Sequence, residues 1–238
     1  MAALPFDIID FTHPLTEAMP TWTGGCGFKP EIKLDYHQQD GDVRFRVQQV
    51  KMHCGIGTHM DAPVHCIPSG LSIDQLPLKK LSAPLKIIDV SHLCHERYTL
   101  SLKDIDHSYD YADHIVLVKT GWGKFWDNPK AYHNNHIFPS VSAEVTQFFA
   151  DQGIKGLGID TLSPDRPEDG FSVHHIILGA GKFIVENVYF PPDLNTDGAL
   201  YAMALPIPMA ECSEAPIRLV GLKIHPTLLS LHTPVSHP

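Results

Sequence analysis

Three short apolar runs, at residues 85–90 (LKIIDV), 115–119 (IVLVK) and 155–160 (KGLGID), constrain the fold of this chain more than any other feature. Each is short for a helix and rich in Ile, Leu and Val, as strands buried on both faces of a covered sheet are. Helical material separates them, so they predict a mixed or partly parallel sheet. Between the second and third runs, residues 143–152 carry Val145, Phe148 and Phe149 at i, i+3, i+4 spacing. Ser142 is placed to cap, Glu144 lies in the first turn and Gly153 stands at the stop, which together predict a helix whose apolar face covers the sheet.

Further strands are expected at residues 6–11, 182–189, 200–207 and 217–224, with twenty prolines punctuating loops and edges. Val43, Phe45 and Val47 alternate with polar residues before a phase slip near Gln48 and Gln49, the pattern of a half-buried strand with a bulge. The expected architecture is α/β, a mixed sheet flanked by helices in one domain over residues 1–238, with residues 226–238 as a frayed tail.

A formal charge of −9 without a basic run disfavours nucleic acid and anionic membrane surfaces as partners. No apolar run reaches the ~18 residues of a membrane span, and the opening MAALPFDIIDFTH lacks the parts of a signal peptide, so a cytoplasmic location is expected. Five cysteines without CxxC spacing read as reduced thiols.

Chemistry concentrates in Gly57-Thr58-His59-Met60-Asp61-Ala62-Pro63-Val64-His65. On an extended segment, His59 and Asp61 share a face with Cα atoms about 6.6 Å apart, close enough for one cation to join them. Zinc accepts both imidazole nitrogen and carboxylate oxygen, and Pro63 helps keep the segment extended. Two bland readings compete: chance proximity in a chain with sixteen histidines, and Asp61 as a turn cap. The added His65 and the Gly-Thr lead-in weigh against the first. Glu186 lies in an expected strand, where a buried carboxylate needs a partner, although alternation also permits an exposed face shared with Lys182. A serine nucleophile is disfavoured because no GxSxG is present; Ser172 reads as a cap for a helical turn.

The segment resembles the HxGTHxDxPxH signature of the metal-dependent cyclase family, which includes bacterial kynurenine formamidases and isatin hydrolases. The resemblance extends to Thr12-His13-Pro14-Leu15, Met19-Pro20-Thr21-Trp22, Gly158-Ile159-Asp160-Thr161 and the block from His174 to Asn187. It implies a swivelling β/β/α fold and an arylformamidase that hydrolyses N-formylkynurenine to kynurenine and formate through a metal-bound hydroxide. Hydrolysis of a cyclic amide such as isatin is the alternative, and a non-catalytic binding protein a third reading. Carried over by residue, it makes His59, Asp61, His174 and Glu186 metal ligands, His65 the proton donor and acceptor, and Trp22 a wall for the substrate's aromatic part. The family spacing selects His174 over its neighbour His175. The resemblance further implies a homodimer or homotetramer and a divalent cation, with zinc preferred and manganese as the alternative.

One position departs from the signature. Its first histidine falls at Gly55, while His53 lies two residues early and Cys54 points to the other face. One well-held ion is therefore expected, with the second weak, absent or rebuilt. Beside Trp22, the glycines Gly24, Gly25 and Gly27 predict a loop of the kind that closes over substrate.

Overall fold

The structure is a computed structural model that describes residues 4–225; the tail expected to fray lies outside them. In chain order its strands are β1 (Phe6–Asp10), β2 (Phe28–Leu34), β3 (Val47–Met52), β4 (His59–Asp61), β5 (Ser82–Asp89), β6 (Thr99–Leu100), β7 (Ile115–Lys119), β8 (Ser140–Val141), β9 (Gly156–Ile159), β10 (Phe183–Glu186), β11 (Leu200–Pro206) and β12 (Glu214–Ile224). Its α-helices are α1 (Pro129–His133), α2 (Ala143–Gln152) and α3 (Ser172–Gly179).

The main sheet runs β1-β12-β11-β5-β7-β9-β10-β4, and β12 pairs with β4 as well. That extra pairing closes the path from β12 through β11, β5, β7, β9, β10 and β4 back to β12, leaving β1 outside the ring. The apolar runs at β5, β7 and β9 form its parallel centre with β10, and the remaining pairings are antiparallel. The expected mixed sheet is therefore what the chain builds.

Period-two alternation divides the two sides. On β7, Ile115 and Leu117 join the core that includes Met60 and Val185, whereas Val116 and Val118 pack with Val145, Phe149 and Ile177 from α2 and α3. Gly156 and Gly158 on β9 allow the first core to close. A Cβ at Gly156 would strike the Phe183 ring, and one at Gly158 would strike Leu117. α2 has the bounds the spacing predicts, with the Ser142 side chain accepting from the Val145 N–H and Gly153 left-handed at its end.

The segment from Val43 to Val47 differs from expectation. Val43 and Phe45 are exposed and outside any strand, β3 starts only at Val47, and the irregular register falls on β2 between Ile32 and Leu34. β2 and β3 form a two-stranded ribbon apart from the main sheet. Among the described residues no second layer covers it, so alternation there has no core to face.

Candidate metal centre

Three neighbouring strands build the centre. β4 lies between β10 and β12, so His59 sits opposite Glu186, while Asp61 is flanked by Ile184 on one side and Glu214 on the other. Met60 between them points into the barrel core, which leaves His59 and Asp61 on the opposite face, as the extended reading requires. α3 brings His174 over that face.

The four side chains alternate nitrogen and oxygen. His59 Nε2 lies 3.6 Å from Asp61 Oδ1 and 3.3 Å from Glu186 Oε2, while His174 Nε2 lies 3.7 Å from Asp61 Oδ2 and 3.6 Å from Glu186 Oε1. Donor atoms about 2.0–2.2 Å from a tetrahedral cation stand roughly 3.4 Å from one another, so each imidazole–carboxylate pair is spaced as two donors sharing one ion. Asp61 is 1% exposed, and neither of its carboxylate oxygens has a hydrogen-bond partner. A buried carboxylate without a donor is costly, and a cation supplies what the protein withholds. The residues present therefore fit a divalent metal.

Each histidine is held by its other ring nitrogen. His59 Nδ1 donates to the Gly57 carbonyl at 2.9 Å, and the same carbonyl accepts from Asn187 Nδ2 at 2.9 Å. His174 Nδ1 donates to Asp165 Oδ2 at 2.7 Å. Both contacts assign a ring proton to Nδ1 and turn Nε2 toward the carboxylates, as the atom a cation would take on displacing any proton there. Asp165 is fully buried and also accepts the backbone N–H groups of Val173 and His174. It caps α3 in place of Ser172, which makes no side-chain cap; Phe171 is the left-handed N-cap. Asp165→Asn is expected to weaken metal binding about 10–100-fold while leaving the circular dichroism spectrum unchanged. Unaltered affinity in a calorimetric titration would remove Asp165 from this role.

Burial alone would lower the His59 and His174 pKa values, but the facing carboxylates outweigh it. Glu186 and Asp61 push His59 up to about 10, and Asp165, Glu186 and Asp61 push His174 up to about 9. Burial, reinforced by Glu186, pushes Asp61 up to about 8. Without a cation the cluster thus retains protons that an unfolded chain releases near pH 4 and pH 6.5. Apo stability carried by these groups falls as pH rises through that range toward 10, whereas a cation requires the deprotonated donors. The rise in melting temperature on adding zinc is expected to grow from pH 6.5 to pH 9, with proton release on binding. A constant increment across that range would contradict protonated ligands in the apo protein.

The cluster opens into a cavity of about 460 Å³ lined by Trp22, Phe171, Leu162, Ile56, His65 and Glu214, among others. Its volume suits a small organic molecule. Trp22 stacks on His136 with ring centroids 4.0 Å apart, and its carbonyl accepts from His133 and His136. The neighbouring turn is tied by Thr21 Oγ1 donating to the Gly25 carbonyl. His65 follows β4 on a 3-10 turn, Pro63–His65, and its Nδ1 lies 3.6 Å from Glu214 Oε2. Neither His53 nor Cys54 lines the cavity. His53 instead donates its backbone N–H to Gly27, and Cys54 Sγ lies 3.9 Å from Cys212 Sγ.

All six residues singled out in the sequence therefore line one cavity. Asp165 and Glu214 were not among them. Asp165 lies in a Ser-Pro-Asp-Arg-Pro loop without periodicity, and Glu214 reaches the cavity only through the β12–β4 pairing, which no local pattern announces.

Residues 9–166 match the family described as "Putative cyclase". Kynurenine formamidase of Bacillus anthracis is 29% identical over 213 residues, covering 89% of this chain and 95% of that protein. Isatin hydrolase A from Ralstonia solanacearum superposes with a TM-score of 0.80 at 22% identity, covering 92% of each chain. A predicted metal-dependent hydrolase from Bacillus stearothermophilus superposes with a TM-score of 0.73 at 26% identity, covering 93% of this chain and 99% of that one.

Proposed function

The chain belongs to the cyclase family, and from that premise we propose that it is a metal-dependent amidohydrolase, an arylformamidase that converts N-formylkynurenine to kynurenine and formate. The observation that carries this reading is the buried cluster of His59, Asp61, His174 and Glu186, with unpartnered Asp61 oxygens, at the floor of an aromatic cavity. Zinc is the ion proposed, held through imidazole nitrogen and carboxylate oxygen; manganese accepts the same donors.

When bound, the cation supplies Lewis-acid polarisation of the amide carbonyl and activates water at neutral pH. The protein's own groups do the rest. Trp22 and Phe171 flank the aromatic part of the substrate and shield the carbonyl from bulk water. Asn187 and the Gly57 carbonyl fix the His59 ring, and Asp165 fixes His174, so the donors need no rearrangement during turnover. His65 has a side chain 32% exposed, which keeps it in exchange with solvent protons while it faces the cavity. It takes a proton as water adds to the carbonyl and delivers one to the aryl nitrogen as the C–N bond breaks.

Hydrolysis of a neutral cyclic amide such as isatin is the second reading, and one observation favours it. Among the described residues no Lys or Arg lines the cavity, so a substrate carboxylate meets no fixed side-chain cation of theirs there other than a protonated histidine. Turnover of N-formylkynurenine and of isatin by the zinc-loaded protein separates the readings. A kcat/KM at least ten times higher for the formamide supports the first, and the reverse ratio supports the second. Stoichiometric metal with no turnover of either compound would point to a binding protein.

A further inference from the structure

The space beside His59 that Gly55 leaves open is filled by a carboxylate. A Cβ built on Gly55 would overlap Glu214 Oε1 and come within 2.9 Å of Glu214 Cδ and 3.3 Å of His59 Nε2. A side chain at position 55 and Glu214 in its present place exclude each other. We propose that Glu214 supplies the ligand that a histidine at position 55 would have given, and that Glu214, His59, Asp61 and Glu186 together hold a second divalent cation beside the one at Asp61, His174 and Glu186.

Several observations carry this assignment. The two oxygens of Asp61 diverge, Oδ1 toward His59 and Oδ2 toward His174, and those of Glu186 do the same, Oε2 toward His59 and Oε1 toward His174. Two bridging carboxylates with one imidazole at each end define two cation positions, since a single ion would leave one half of the arrangement without its charge. Glu214 is the further donor: its carboxylate, Asp61 and His65 offer ligand atoms that all lie within 4.8 Å of one another, as do those of His59, Asp61 and Glu186, and its Oε1 occupies the space at Gly55 beside His59. Its backbone sits directly opposite Asp61 in the β12–β4 pairing, and direct cross-strand partners carry their side chains on one face.

Charge leads to the same count. Asp61, Glu186 and Glu214 converge on a cavity that, among the described residues, no Lys or Arg lines, while the fourth carboxylate, Asp165, is engaged by His174 and two backbone N–H groups. One divalent cation leaves the three converging carboxylates in excess, and a second removes that excess. The two Glu214 oxygens also divide their partners: Oε1 occupies the Gly55 side, and Oε2 faces His65 Nδ1 at 3.6 Å. The same carboxylate thus joins the second cation position to the proton-transfer histidine.

The proposal rests on the metal-centre reading, and counting ions tests the two separately. Apo protein, kept in reductant so that Cys54 and Cys212 stay thiols, is titrated with zinc by calorimetry, and bound metal is measured by elemental analysis. Two ions per chain are expected in the unaltered protein. In both Glu214→Gln and Glu214→Ala, the first ion is expected to be retained, while the dissociation constant of the second rises by more than about 100-fold, beyond the effect of losing an outer hydrogen-bond partner. Gly55→His combined with Glu214→Ala is expected to regain the second ion. Saturation of the unaltered protein at one ion, or two unweakened ions in folded Glu214→Gln, would overturn the proposal while leaving the first cation position intact. Saturation at zero ions would overturn the metal-centre reading itself.

Discussion

Asp61→Asn is expected to lose metal and turnover together, with kcat falling roughly 10³-fold or more. Asp61 faces both histidines of the cluster, so its carboxylate would serve each of the proposed cation positions. A bound cation would supply several kcal/mol of transition-state stabilisation, and each ~1.36 kcal/mol is a factor of ten in rate. The substitution preserves shape and removes only charge. That makes its effect on the apo protein informative, because the native carboxylate is fully buried with neither oxygen hydrogen-bonded. Removing that charge breaks no existing hydrogen bond but takes a carboxylate away from His59 and His174, so both imidazoles of the apo variant are expected to titrate lower than in the apo parent. The variant's melting temperature should no longer rise when zinc is added. Elemental analysis, a thermal scan with and without zinc, and a formamidase assay on one preparation check all three points. Full metal occupancy in the variant would remove Asp61 from the ligand set.

Burial pattern explains why so much of this centre was legible in the sequence. β5, β7 and β9 are recognisable because they lie inside the sheet, which demands short apolar runs, of Ile, Val and Leu on β7 and of Leu and Ile between glycines on β9, and α2 because its one apolar face leaves a helical period. His59 and Asp61 could be placed on one face because they stand two residues apart on a strand, where period two decides orientation without tertiary information. The same logic failed at Val43 and Phe45, whose alternation belongs to an exposed loop leading into a ribbon that no other layer covers among the described residues. Alternation states which residues could be buried together; it does not state that anything covers them. Glu214 shows a different limit. Its importance comes from a strand pairing that closes the ring of the sheet, and from the missing side chain at Gly55. An absent histidine is visible in the sequence, but the residue that fills its space arrives from far along the chain. Asp165 escaped notice for a similar reason, since its carboxylate acts on the first turn of α3 and on His174 from a loop.

His65→Asn is expected to keep the metal and lose catalysis, the reverse of a ligand substitution. His65 stands outside the group formed by His59, Asp61, His174 and Glu186, with its ring centroid 5.8 Å from that of His174, so the ions should bind with unchanged stoichiometry. General acid–base catalysis by a positioned histidine contributes typically about 10²–10⁴ in rate, and the loss should fall on kcat, because Trp22 and Phe171, proposed to hold the aromatic part of the substrate, are left in place. The nature of the leaving group provides a sharper check than the size of the loss. An arylamine departs poorly as an anion, so the proton from His65 matters most where that nitrogen is most basic. Across a series of ring-substituted formanilides, the ratio of parent to variant kcat should therefore shrink as electron-withdrawing groups make the departing nitrogen easier to expel. A ratio that stays flat along the series would mean that His65 acts before the C–N bond breaks, or only orients Glu214 3.6 Å away. Near-parental rates throughout would transfer the proton to another group on the cavity wall, of which His175 is the remaining imidazole.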